Sequence, residues 1–181
     1  MEKTMNKVSI RLVNDISLVS EEVLDTPKKA AQAVGKFIKD MDREAFCVIN
    51  FNSKLQPINF NVVSIGTVNS TLAVPRDVLK SAILSNATYM MVMHNHPSSI
   101  LKPSTDDIKM TSRFIDTCEL MGIPLLDHII VGPKTNDYFS MKEKNIVSFK
   151  SNIKYAGNLE FLNFKTGDEV KVAEKNNRLA R

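Results

Sequence analysis

His94 and His96, one residue apart, are the pair in this sequence that most invites a chemical reading. An apolar run from Tyr89 to Met93 leads straight into His94-Asn95-His96-Pro97-Ser98. In an extended segment, side chains two apart share a face. The two imidazoles therefore sit side by side at a strand's end, with Asn95 facing away. Pro97 cannot donate to a strand ladder and ends the run. Two imidazoles on one face can hold one zinc ion, which takes nitrogen and oxygen ligands tetrahedrally. A carboxylate is wanted as third protein ligand, leaving one position for water, and Asp107 offers it. The same residues have a plainer reading. Ser104 followed by Asp107 is a capping-box pattern, and an acid in a helix's first turn is favoured by the macrodipole. Spacing alone does not separate cap from ligand. The histidine pair tips the balance, because two histidines on one strand face at a loop mouth have little packing reason. Asp106 is the rival carboxylate, and the Ser-x-x-Asp spacing selects Asp107.

Helices and strands around these residues follow from the chain in order. Lys7 to Val13 alternates and predicts a half-buried strand. Thr26 and Pro27 mark a helix start that runs to about Met41. Glu44 opens a nearly all-apolar, central strand, Ala45 to Phe51. A turn at Asn52 to Lys54 and a returning strand, Ile58 to Ile65, complete a hairpin. Gly66 breaks it, and a polar loop follows to Ala73. Pro75 begins a helix to about Ser85. Thr88 to Met93 is the strand that delivers the histidines, and Pro97 to Pro103 is a loop long enough to fold back over a site. Ser104 caps a helix to Met121, with Gly122 at its C′ position. Leu125 to Val131 and Tyr138 to Met141 are further strands. This alternation predicts a three-layer α/β domain, a mixed sheet with helices packed on its faces. Asn158 to Phe164 could add one more strand, and Ala173 to Arg181 reads as frayed or disordered.

Composition bounds the function classes. The chain has 181 residues, is 43% hydrophobic and carries a net charge of +4. That fits one domain, residues 1–145, with a basic, partly disordered extension over 146–181. Seven Lys/Arg against four Asp/Glu lie from Lys150 onward, so most of the positive charge is in the tail. A scattered basic tail is weak support for nucleic acid, whose binders show clustered patches. Cys47 and Cys118 have no Cys-x-x-Cys partner, so neither a disulfide framework nor a thiolate zinc site is expected. No membrane span and no signal peptide is read in the chain, and a cytoplasmic location is the expectation. The oligomeric state is left open, a homodimer included.

His-Asn-His-Pro-Ser followed by Pro-Ser-x-x-Asp resembles the JAMM (MPN+) metalloprotease signature, in the form written by RadC-like JAB-domain proteins. More of the chain is similar to that family. Asp42-Arg43-Glu44-Ala45-Phe46 resembles its Arg-Glu opening. Gly66-Thr67-Val68-Asn69 resembles its Gly-Thr-x-Asn loop, Pro75-Arg76-Asp77 its Pro-Arg-Glu helix start, and Leu126 to Gly132 its Asp-His-Ile-Ile segment. The resemblance covers roughly Val8 to Lys142. Ser99 stands where the family usually has glycine, which reaches positive φ cheaply. Val74 stands where histidine often precedes the Pro-Arg. The helix-hairpin-helix region of longer RadC proteins is not found in these residues.

The resemblance implies a JAB/MPN fold and a zinc-dependent metallopeptidase or isopeptidase, with His94, His96 and Asp107 holding the metal. It implies that Glu44 is the general base and that Ser104 lies near the water to stabilise an oxyanion. Read without the family, Glu44 is an ordinary charged residue flanking a strand. His128, in an apolar strand after Asp127, reads as structural, able to orient a ligand from behind, and is left out of the metal set. The letters His-Asn-His do not make an HNH nuclease, whose residues are scattered over a ββα unit. The alternative function is a non-catalytic binding module associated with DNA repair or mobile-element DNA metabolism. The expected partner is a protein or peptide substrate, with nucleic acid weakly supported and no membrane.

Overall fold

The computed structural model describes residues 12–13, 23–66, 73–133 and 136–150. Its frame is a mixed five-stranded sheet, with strands β1 (Ala45–Phe51), β2 (Pro57–Ile65), β3 (Tyr89–Asn95), β4 (Leu125–Val131) and β5 (Tyr138–Ser140). The spatial order is β2-β1-β3-β4-β5. β1 runs antiparallel to both β2 and β3, β3 and β4 are parallel, and β5 returns antiparallel to β4. β1 is buried at every position, as a strand paired on both sides and covered on both faces must be.

The alternation of β1 and β3 residues divides the core in two. On one face Phe46, Val48, Met90 and Val92 pack with Val78, Leu79 and Ala82 of helix α2 (Pro75–Leu84) and Phe114, Ile115 and Cys118 of helix α3 (Thr105–Leu120). On the other, Cys47, Ile49, Met91 and Met93 pack with Ala30 and Val34 of helix α1 (Pro27–Val34), and with Ile38. The result is a three-layer α/β domain. Parallel β3 and β4 need a crossover, and α3 supplies it. The start of α3 therefore lies at the carboxyl end of β3.

Two elements differ from the sequence reading. Helix α1 ends at Val34 rather than near Met41, and the chain tightens into a 3-10 turn over Gly35–Phe37. Gly35 lies on the sheet: a Cβ there would come 3.2 Å from Val131 Cγ1. Strand β3 runs two residues past Met93, because β1 pairs with it as far as His94 and β4 as far as Asn95. The strands expected over Lys7 to Val13 and Asn158 to Phe164, the polar loop's Thr67 to Leu72, and the frayed end lie outside the described residues, save Leu12 and Val13, which are exposed and irregular. Val147 and Phe149 pack against the α2–α3 face of the core. Among the described residues no helix is long and apolar enough to cross a membrane.

Candidate metal centre

Three elements meet at the carboxyl end of β3. His94 is in the last turn of that strand's ladder, paired with Phe46 on one side and Ile130 on the other. His96 lies just beyond the strand end, its N–H still bonded to the Val131 carbonyl at 2.9 Å. Asp107 arrives from the first turn of α3. The ligand atoms of His94, His96 and Asp107 all lie within 4.8 Å of one another. The His94 and His96 Nε2 atoms are 2.9 Å apart, and Asp107 Oδ1 is 3.4 Å from His94 Nε2.

Cap and ligand geometry coexist at Asp107, because a carboxylate has two oxygens. Oδ2 accepts the Ser104 N–H at 2.7 Å and the Ser104 hydroxyl at 2.6 Å, while Ser104 Oγ accepts the Asp107 N–H at 3.1 Å. That is a reciprocal capping box. Oδ1 is left facing His94. The Ser104 hydroxyl proton is thus given to Asp107. Asp106 points away, its side chain 93% exposed and paired with Lys109.

Glu44 comes to the same end of the sheet through register. β1 and β3 are antiparallel neighbours with Phe46 opposite His94. Continued by two residues, that register sets Glu44 opposite His96. Asn95 fixes the approach. Its Oδ1 accepts the Ala45 N–H at 2.7 Å, and its Nδ2 donates to the Met41 and Arg43 carbonyls, both at 3.2 Å. The buried amide between the two histidines therefore grips the chain on both sides of Glu44. Sequence reasoning gave Asn95 no role; an amide inside an apolar strand is the signal, since a buried polar group must find partners.

Burial holds the His94 imidazole down at about 4, against the opposing pull of the Asp107 charge. His94 is therefore neutral at pH 7. His96 is partly buried, which lowers it, but its bond to Asp107, the Ile100 carbonyl and the charges of Asp107 and Glu44 raise it above the ordinary histidine value. Burial also acts to raise Asp107, yet His96, His94 and Ser104 together hold it far below the usual carboxylate range. Glu44 is raised, chiefly by burial, with Asp107 adding to the shift and His96 opposing it.

His96 Nδ1 is 2.6 Å from the Ile100 carbonyl, which can only accept. Nδ1 therefore carries the proton, and in the neutral ring Nε2 presents a lone pair. Two imidazole nitrogens and one carboxylate oxygen, converging from two elements, are a donor set that fits a divalent metal, zinc among them. The loop that carries Ile100 is tight: Ser99 adopts φ 62°, the conformation glycine takes most readily.

The family model described as the RadC-like JAB domain matches residues 24–146. A UPF0758 protein of Desulforamulus reducens is 38% identical over 125 residues, 69% of this chain and 54% of that protein. A UPF0758 protein of Rubrobacter xylanophilus is likewise 38% identical over 125 residues, with the same shares. One of Halalkalibacterium halodurans is 33% identical over 139 residues, 77% of this chain and 59% of that protein. The chain spans about half the length of the curated relatives it matches.

Proposed function

This chain belongs to the RadC-like JAB-domain family, and on that premise we propose that it is a zinc-dependent metallopeptidase or isopeptidase acting on a protein or peptide. The observation that carries this reading is the convergence of His94, His96 and Asp107 at a strand end, with the β1–β3 register bringing Glu44 to the same end of the sheet. A purely structural metal would need no base beside it. A zinc ion held by the three would lower the pKa of a water toward neutrality and polarise the scissile carbonyl.

The chain's own residues supply the rest. Glu44 takes the proton from the attacking water and returns it to the leaving amine. Its raised pKa moves it toward the working pH, where a general base is most effective. Ser104 acts first through Asp107, holding one oxygen so that the other faces His94. Its hydroxyl can reach an oxyanion only by turning away from that oxygen. β2 is an edge strand among the described residues, and the Gly66 N–H after it bonds to the Glu44 carbonyl at 2.8 Å. An extended substrate added to that edge would run toward Glu44, using main-chain hydrogen bonds.

The test begins with metal. Elemental analysis of purified protein should find one zinc per chain, lost in His94→Ala and in His96→Ala. Equal metal in wild type and both variants would sink the site. The zinc-loaded protein should then generate new N-termini in a bacterial lysate, read by mass spectrometry, and Glu44→Gln should generate far fewer.

A further inference from the structure

His128 is a fully buried histidine that the metal group does not include. It nonetheless touches that group from behind. His94 Nδ1 and His128 Nε2 are 2.8 Å apart, and His128 Nδ1 is 2.5 Å from Thr111 Oγ1. Thr111 Oγ1 donates in turn to the main-chain carbonyl of Asp107 at 2.6 Å. The chain leaves one metal-group residue, His94, and ends on the backbone of another, Asp107.

The carbonyl at its end sets its direction. A carbonyl oxygen only accepts, so the single Thr111 hydroxyl proton is committed to Asp107. His128 Nδ1 must then carry a proton and donate it to Thr111 Oγ1. A neutral imidazole bears one N–H, which leaves His128 Nε2 as an acceptor. His94 Nδ1 must therefore be the donor to it, and His94 Nε2 carries a lone pair. His96 reaches the same state through the Ile100 carbonyl. Both Nε2 atoms of the metal group are thus lone pairs, each set by a main-chain carbonyl.

We propose that His128 and Thr111 are positioning residues of the metal centre: they lock His94 in the tautomer whose Nε2 lone pair points at His96 and Asp107. The proposal rests on reading His94 as a ligand. A hydrogen bond behind a ligating histidine fixes tautomer and ring orientation, and its loss typically lowers metal affinity about 10–100-fold. The reverse polarity would place the proton on His94 Nε2, where a metal could not bind. A threonine bonded to the carbonyl four residues back is commonplace in helices. What is not commonplace is that its oxygen also accepts from a buried histidine that faces a second one.

The experiment has two arms. In the first, nitrogen-15 spectra of the metal-free protein at neutral pH read the His94 tautomer directly. A protonated Nδ1 and a lone-pair Nε2 are expected; a protonated His94 Nε2 on the neutral ring overturns the proposal even if every variant misfolds. In the second, zinc affinity is measured by chelator competition with a melting curve for each variant. His128→Leu and Thr111→Val should weaken zinc binding about 10–100-fold. His128→Gln, which keeps an acceptor and a donor, and Thr111→Ser, which keeps the hydroxyl, should restore most of it. Zinc binding unchanged in His128→Leu and Thr111→Val, with their folds intact, would overturn this proposal alone. A wild-type protein that takes up no zinc would overturn the metal reading and this proposal with it.

Discussion

At the residue scale, Glu44 has the most exposed prediction. Glu44→Gln keeps size and removes the base. It should retain zinc and fold, and lose turnover by about 10²–10⁴-fold. Zinc content and cleavage rate measured on one preparation separate the outcomes: near-wild-type cleavage removes Glu44 from the mechanism, and lost zinc makes it a support of the site. A second expectation follows from His96. A metal ligand must be deprotonated, so protons compete with zinc for its Nε2. His96 is raised above the ordinary histidine value while His94 is depressed to about 4. As pH falls, His96 takes its proton first. Zinc affinity should therefore begin to decline where His96 takes its proton rather than near pH 4, and a titration of affinity against pH flat down to pH 5 would contradict this. Ser99 offers a stability check. Serine at φ 62° sits where an L side chain is strained, and the left-handed conformation costs about 1–2 kcal/mol outside glycine. Part of that is offset by glycine's freedom in the unfolded chain. Ser99→Gly should raise stability by about 0.5–1 kcal/mol in a denaturant melt, without changing zinc content.

At the element scale, what could be read in advance followed from how local each signal is. The apolar run ending in His-x-His, the Ser104 cap and Gly122, at φ 68° after α3, are each written in a few adjacent residues, and each lies in the element the sequence reading gave it. The early end of α1 was not legible. Gly35, its C-cap, is a residue that can end a helix, but the apolar stripe continues through Phe37 and Ile38 and hides the stop. Nor was the pairing of β1 with β3, which alone brings Glu44 to the histidines, or the bond between His94 and His128, 34 positions apart. Asn95 shows both sides. Its place between the histidines was plain, but its grip on the segment before β1 depends on that strand pairing. Asn95→Ala would leave the buried Ala45 N–H and two carbonyls without their partner. Stranding buried groups costs about 1–3 kcal/mol each, less where water enters. The variant should lose about 2–3 kcal/mol of stability. If it still folds, it should keep zinc and lose turnover, since it loosens Glu44 and no ligand. Unchanged stability would mean that Asn95 holds nothing.

At the scale of the whole molecule, the net charge of +4 and the tail's seven basic residues bear on partners more than on the fold. Any binding to DNA should be non-specific and fall steeply with salt, because phosphate contacts release counterions. The sharper question is where the folded unit stops. After β5 the chain turns back over the α2–α3 layer. Ile146 N–H bonds to the Met141 carbonyl at 2.9 Å, and Met141 is itself fully buried against Thr111. Val147 and Phe149 then pack on the core from outside, and Lys142 Nζ sits 5.9 Å from the Phe149 ring centre. The segment thus adds to the α2–α3 face of the core. Two truncations probe this. A chain ending at Lys150 keeps every one of these contacts and should melt cooperatively near the full-length temperature, with zinc retained. A chain ending at Asn145 loses the Ile146 bond and both apolar side chains. Burying a Val or Phe side chain contributes about 1.5–3 kcal/mol when complete. These two are only half-buried, so a loss of about 2–3 kcal/mol is expected. For a domain of this size that lowers Tm by about 4–12 °C. Met141, which the Ile146 N–H holds, meets Thr111 of α3, so zinc affinity should fall in the shorter chain as well. Equal melting temperatures for the two chains would show that the segment after Asn145 is a bystander. A Lys150 chain that aggregates or melts without cooperativity would show that residues beyond it belong to the folded unit.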